Sequence, residues 1–231
     1  MSNYIYGKNS FKEALNKNRV TKAYVLKGST FIDEIKKKHI EYQIVDKKTL
    51  DKLSKNNNHQ GIVGEVSDYK LYNLKDLIQK ENGLIVVLDG LKDPHNLGAI
   101  IRTCECAGAD GIIYKKHNSV KLSDTVAKVA SGALEHVKVC EVTNITNTLK
   151  ELKDKGYWIV GSDASAKIDY QDVDYNRNIV MVIGSEGEGI SRLVKEECDY
   201  VISLPMKGKV NSLNASVAAG ILIYNVVSSR S

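Results

Sequence analysis

The stretch NIVMVIGSEGEGISRLVKEECDYVISLPMKGKVNSLNASVAAGILIYNVV, residues 178 to 227, contains two short apolar runs that each end at a chain-breaking residue. Ile179 to Ile183 stops at Gly184 and gives way to Ser185-Glu186-Gly187-Glu188-Gly189, and Tyr200 to Leu204 ends at Pro205. Uncharged runs of this length read as strands buried on both faces of a sheet. In open α/β sheets ligands bind beyond the carboxyl ends of such strands. The polar groups waiting there, Asn211, Ser212, Asn214 and Ser216, describe a ligand site. The glycine turn is neither G-x-G-x-x-G nor a P-loop. Its two glutamates would repel a pyrophosphate and suit a neutral or cationic ligand, or hydroxyls seeking acceptors. The segment after Asn214 is apolar on nearly every side, which predicts a helix almost wholly enclosed.

The rest of the chain from Gly83 follows the same rhythm. Leu84 to Leu88, Gly111 to Tyr114, Val137 to Cys140 and Tyr157 to Val160 are further strand-like runs, with helical stretches between most of them. Alternation of this kind predicts an α/β fold with a mostly parallel sheet and helices on both faces. After the first strand, Asn96 is placed to cap a helix whose buried stripe is Leu97, Ile100, Ile101 and Cys104. Arg102 lies off that stripe. Helical side chains lean toward the N-terminus, so its guanidinium is expected to reach back over Gly98 and Ala99 and meet the Asn96 amide, where the helix terminus already favours anions.

Residues 1–67 read as a separate small α/β unit, joined through a connector at 68–82 with one short helix to the main domain at 83–231. The small unit carries Lys8, Lys12, Lys17, Arg19, Lys22, Lys27 and a triple lysine at 36–38. These fit a grip on RNA phosphates, and equally a solvated face. His59 with Gln60 reads as a loop contact, more structural than ligand-binding.

Bulk properties narrow the class. With 231 residues, 42% hydrophobic and 26% charged, the chain has enough material for a buried core and is not of disordered composition. No apolar run reaches the ~20 residues needed to cross a bilayer, and MSNYIYGKNSFKEAL lacks the basic head and apolar core of a secretory signal. Cys104, Cys106, Cys140 and Cys198 show neither a disulfide framework nor metal spacing. They are expected to be buried thiols in a cytoplasmic protein. The net charge of +5 allows a polyanionic partner without demanding one.

Three motifs together resemble the SpoU (TrmH) family of RNA ribose 2′-O-methyltransferases, part of the SPOUT superfamily. They are Asn96-x-Gly98-x-x-x-Arg102, then Ile183-Gly184-Ser185-Glu186-Gly187-x-Gly189, and Leu204-Pro205-Met206 followed by Ser212-Leu213-Asn214-x-Ser216-Val217-Ala218. Tyr6-Gly7-Lys8-Asn9 and His59-Gln60-Gly61-Ile62-Val63 are similar to the ribosomal-protein-like substrate domain of the family's RlmB-like branch. The resemblance implies a deep trefoil knot, a homodimer with active sites at the subunit interface, and S-adenosylmethionine held by main-chain groups at Gly184, Leu204 and Leu213. It casts Arg102 as the group that activates the ribose hydroxyl, Asn96 and Glu186 as its orienters, and Ser212 and Asn214 as completing the acceptor site, with no metal. The implied substrate is a guanosine ribose in large-subunit (23S) rRNA. A tRNA substrate, a non-catalytic ribosome assembly factor and a nicotinamide-dependent oxidoreductase are the rivals. The last lacks its glycine fingerprint after Leu84 to Leu88.

Overall fold

The structure, a computed structural model, describes residues 3–79, 81–210 and 212–230. In chain order the first elements are β1 (Asn3–Tyr6), α1 (Lys8–Asn16), β2 (Val20–Val25), α2 (Ile32–Lys37), β3 (Glu41–Ile44), α3 (Lys47–Leu53) and β4 (Ile62–Val66). Then come β5 (Leu84–Asp89), α4 (Pro94–Cys106), β6 (Gly111–Lys115), α5 (Asp124–Ala130), β7 (Val139–Val142), α6 (Ile145–Asp154), β8 (Trp158–Ser162) and β9 (Ile168–Asp169). The chain closes with β10 (Ile179–Gly184), α7 (Arg192–Glu196), β11 (Tyr200–Ser203) and α8 (Ala215–Ser228).

These elements form two compact units, 1–70 with 122–136, and 71–121 with 137–231. The first contains a four-stranded sheet in the order β1-β4-β2-β3, with β2 and β3 parallel and the other pairs antiparallel. Phe11, Leu15, Ile35 and Ile62 fill its core, with Phe11 and Phe31 edge to face. Residues 122–136, which the sequence reading assigns to the main domain, belong to this unit: Arg19 pairs with Glu135, His136 lies 2.9 Å from Glu13, and the Ser10 hydroxyl donates to the Ala127 carbonyl. The physical reason is that α5 buries Val126, Ala127 and Ala130, a stripe too short to announce its partner from sequence. His59 has the expected structural role. It is buried, its Nδ1 accepts from the Gly61 N–H at 2.9 Å, and its Nε2 is 3.1 Å from Asp51.

The second unit is built on a seven-stranded parallel sheet, β7-β6-β5-β10-β8-β11-β9. β5 and β10 lie at its centre and are buried along nearly their whole length, which is why both read as continuous apolar runs. The expected connector is more than a link: Leu71 bridges to Val139 and Leu77 is fully buried among Ile85, Ile113 and Tyr157. Among the described residues no helix is long and apolar enough to cross a membrane.

Three local expectations are corrected. α4 begins at Pro94, and its cap is Asp93, whose carboxylate accepts from the His95 N–H at 2.9 Å. Asn96 therefore sits inside the first turn, buried rather than capping. Proline at the first helical position needs no hydrogen-bond partner for its nitrogen, which moves the start three residues upstream. The α8 helix is not enclosed on every side. Ala219, Leu222, Ile223 and Val226 are buried, while Val217, Ile221 and Tyr224, spaced four and three apart, remain exposed. Of the cysteines, Cys104 and Cys140 are buried, but Cys106 at the end of α4 is exposed. Arg230, just past α8, donates to the carbonyls of Tyr175, Arg177, Asn82 and Gly83, tying the helix end to the starts of β5 and β10.

Candidate active site

At its carboxyl end β10 runs into a turn that only glycine-rich sequence allows. Ser185 and Gly189 exchange backbone hydrogen bonds at 3.0 and 3.1 Å, and Gly187 and Gly189 take φ of 86° and 67°. The turn is fastened to β5 by Asp89, whose carboxylate accepts from the Ser191 N–H at 2.7 Å. This geometry fixes Glu186 at the point where three distant segments meet. The Asn96 amide donates to Glu186 Oε1 at 2.7 Å, and the Asn214 amide donates to the same oxygen at 2.8 Å. Asn214 also donates to Asn96 Oδ1 at 3.0 Å, and the Ala215 N–H lies 3.4 Å from Glu186 Oε1. Asn214 in turn caps α8, its Oδ1 accepting from the N–H groups of Ser216 and Val217. One carboxylate oxygen thus receives three donors and closes a triangle between α4, the β10 turn and the start of α8.

Two cavities adjoin this triangle and share Ser185 and Glu186 as walls. One, of about 240 Å³, lies over the carboxyl ends of β8, β10 and β11 and is lined by Gly184, Leu204, Ser212 and Leu213. The other, of about 270 Å³, is lined by Gly90, Leu91, Lys92, Asp93, Asn96 and Glu188. Among the described residues no arginine or lysine lines the first cavity. Its charged side chains are Asp163 and Glu186. The Asp163 carboxylate accepts from the Ser165 hydroxyl at 2.6 Å and from Lys195 at 2.9 Å, which together hold its pKa down to about 2. A depressed carboxyl stabilises the fold fully above its ordinary range, and that contribution is lost as pH falls from about 4 toward 2. An anionic, main-chain-rich cavity fits a cationic ligand.

The sequence-derived residues divide into those the fold gathers and one it does not. Asn96, Glu186 and Asn214 are bonded together; Gly184, Leu204, Ser212 and Leu213 line one cavity. Asn211 lies outside the described residues. Arg102 is exposed, lines neither cavity, and makes no hydrogen bond or ion pair among the described residues; the Asn96 amide it was expected to meet is committed to Glu186. Asp163 was missed, although Gly161-Ser162-Asp163 directly follows a strand-like run, the position where a ligand group belongs.

The triangle makes a direct stability prediction. Asn96→Ala removes a donor to Glu186 and an acceptor for Asn214 at a buried position, so a loss of about 1–3 kcal/mol is expected. Thermal unfolding of the variant against the native chain measures it; an unchanged melting temperature would mean that water replaces the amide.

Comparison with known proteins agrees with this architecture. Residues 83–224 match the model of the SpoU rRNA Methylase family, and residues 4–72 match RNA 2′-O ribose methyltransferase substrate binding. The Bacillus subtilis (strain 168) protein YacO, described as a TrmH family tRNA/rRNA methyltransferase, is 46% identical over 98% of this chain and 96% of its own length. Among solved structures, the SpoU methyltransferase AviRb from Streptomyces viridochromogenes in complex with AdoMet superposes with a TM-score of 0.83 at 24% identity, covering 97% of this chain and 89% of that one. An AdoMet-bound rRNA methyltransferase from Sinorhizobium meliloti gives 0.85 at 23% identity over 97% and 86%. The chain therefore belongs to the SpoU rRNA Methylase family of RNA methyltransferases.

Proposed function

We propose that this protein transfers a methyl group from S-adenosylmethionine to the ribose 2′-hydroxyl of a guanosine in 23S rRNA, acting as a cytoplasmic homodimer. The observation that carries the reading is the Asn96–Glu186–Asn214 triangle standing between two adjoining cavities. One cavity takes the cofactor, held by main-chain groups at Gly184, Leu204 and Leu213; the other takes the acceptor ribose. Two structural relatives hold AdoMet, and the match of residues 4–72 to a 2′-O ribose substrate-binding model supports the acceptor.

S-adenosylmethionine supplies a methyl group activated on a sulfonium, and it is a cation that suits the anionic first cavity. The chain's own task is alignment, which in favourable cases contributes about 7–11 kcal/mol. Glu186 Oε1 already receives three donors, so it serves to hold geometry rather than to take the proton. Arginine, with a pKa above about 12, is a poor base. Arg102 is assigned to the RNA phosphate and the 2′-oxygen, where its charge favours the deprotonated nucleophile; the hydroxyl proton leaves to the RNA phosphate or water, the O–CH3 bond forms as the S–CH3 bond breaks, and S-adenosylhomocysteine departs. Asn214, bonded to Asn96 of the second cavity, and Ser212, on the wall of the first, are assigned to the acceptor site where the two cavities adjoin, and they order the loop before α8.

The exposed Val217, Ile221 and Tyr224 stripe supports the dimer. A second copy covering it gives Arg102, which has no partner among the described residues of its own chain, a site to act on. The same reading includes a deep trefoil knot, with the C-terminal helix α8 threaded through a loop.

The test is mapping of 2′-O-methyl groups after incubating unmodified 23S rRNA and, separately, unmodified tRNA with the protein and labelled cofactor. One methylated guanosine in 23S rRNA is expected. Methylation of tRNA alone would replace the substrate, and no transfer to either would leave a binding protein that kept the fold.

A further inference from the structure

The loop after β6, Lys116 to Lys121, is docked against the wall of the second cavity. The Val120 N–H donates to the Leu91 carbonyl at 2.9 Å, and the Ser119 hydroxyl donates to the same oxygen at 3.2 Å. Val120 and Leu91 are both buried, so the docking is by packing as well as by hydrogen bonds. Leu91 and Lys92 line the cavity that also holds Asn96 and Glu186. Lys121 directly follows Val120 and Lys92 directly follows Leu91, and both are exposed beside this contact; Lys116 and His117, also exposed, open the same loop, where the Lys116 N–H donates to the Val142 carbonyl at 2.8 Å.

The charge of this edge is unspent. Among the described residues, Lys92, Lys116 and Lys121 make no ion pair or hydrogen bond through their side chains. In the same unit Lys150, Lys153 and Lys195 pair with Glu197, Asp199 and Asp163, and Lys138 donates to the Asp76 carbonyl. Two of the unpaired ammonium groups lie on the docked loop and the third on the neighbouring loop after β5, a cationic surface that favours an anion alongside it. The cavity beside them is too acidic for a phosphate of its own, with Glu186 and Glu188 in its lining. An uncharged ribose inside and a phosphodiester chain along the rim divide the two charges correctly.

We propose that the Lys116–Lys121 loop with Lys92 forms an edge that binds the RNA phosphodiester backbone next to the target ribose, fixing which nucleotide enters the second cavity. This rests on the RNA methyltransferase reading above. The edge supplies phosphate contacts, which set register and affinity without reading bases. Each phosphate neutralised on a single strand contributes a salt slope of about 0.7 on log scales.

The test uses the full chain carrying Lys116→Gln together with Lys121→Gln, with Lys155→Gln as a control at an exposed, unpaired position at the end of α6. All three side chains are exposed, so folding is not at issue. For the double variant the salt slope of binding to unmodified 23S rRNA should fall by about 1.4, so that between ~50 and ~200 mM salt the native affinity drops about 7-fold more than the variant's. KM for RNA should rise, with kcat at saturating RNA and cofactor affinity unchanged. An unchanged slope and KM overturns the proposal, as does a loss half as large in the single-charge Lys155 control, which would trace the effect to net charge alone. A native protein that methylates RNA while the double variant is indistinguishable from it sinks only this edge. A native protein that methylates no RNA sinks the reading on which it rests.

Discussion

Arg102→Ala is expected to reduce methyl transfer by about 10²–10³-fold or more while S-adenosylmethionine binds within a few-fold of the native chain. The magnitude is that of removing one group aimed at charge developing on a reacting oxygen. The split between the two readouts follows from position: Arg102 lies outside the cavity formed by Gly184, Leu204 and Leu213, so the cofactor has no contact to lose. It is also exposed on α4, so truncation removes no buried packing. Isothermal titration of the cofactor and single-turnover transfer to RNA measure the two halves separately. Near-native turnover would remove Arg102 from the mechanism. Because the guanidinium has no partner among the described residues of its own chain, a second experiment locates its target. Mixing Arg102→Ala subunits with Glu186→Ala subunits should restore about a quarter of native activity, since half the dimers are mixed and each carries one complete site. If the mixture stays inactive while both single variants still dimerise, Arg102 acts within its own chain.

What the sequence disclosed and what it withheld follow one physical division. Strands buried on both faces are almost pure apolar runs, so β5, β6 and β10 were visible, and the part-buried β11 was visible from its apolar run ending at Pro205. The triangle's three members were singled out on different grounds: Asn214 as a polar group past a strand end, Asn96 as a helix cap, and Glu186 through the resemblance to the SpoU family. Its wiring was not visible. Asn96, 118 residues from Asn214, reads as a helix cap by local rules, and only the tertiary approach of the β10 turn shows that a carboxylate competes for its amide. The same limit explains residues 122–136. Short helices of a few apolar residues carry no address, and Arg19 and Glu135 are ordinary surface charges until the fold pairs them. The exposed stripe on α8 is the converse case. Periodicity recorded that Val217, Ile221 and Tyr224 are apolar, while a single chain leaves them in solvent, which is the expectation for a face completed by a second copy.

Gly184→Ala is expected to have the largest structural effect of any single methyl group added to this chain. A Cβ built on Gly184 would lie 2.1 Å from the Gly189 carbonyl carbon, 2.3 Å from its oxygen and 2.4 Å from the Ile190 nitrogen. All three are backbone atoms, so no side-chain rotation relieves the overlap. Neither partner has room to retreat. Gly184 is the last residue of β10 and is in register with Asp89 of β5, while the turn is closed by the Ser185–Gly189 pair and fastened through Asp89 to Ser191. Overpacking a well-filled site costs about 1–3 kcal/mol when neighbours can yield, and here the cost should reach or exceed the upper end. Gly161 provides the contrast. Its added Cβ would meet Cys198 Sγ at 2.6 Å and Ile190 Cδ1 at 2.7 Å, which are side-chain and not backbone atoms, so Gly161→Ala should be the milder change. At Gly208 the space is open, and alanine there should be neutral. The functional consequence of Gly184→Ala follows from the same geometry. To survive, the turn must shift by about 1 Å, which displaces Glu186 and the main chain around the first cavity, a scale of misplacement that costs on the order of 10²-fold. Cofactor affinity and melting temperature should therefore fall together in Gly184→Ala and stay near native in Gly208→Ala. A Gly184→Ala protein that binds S-adenosylmethionine as tightly as the native chain would show that the ligand is held by side chains elsewhere and not by the backbone of this turn.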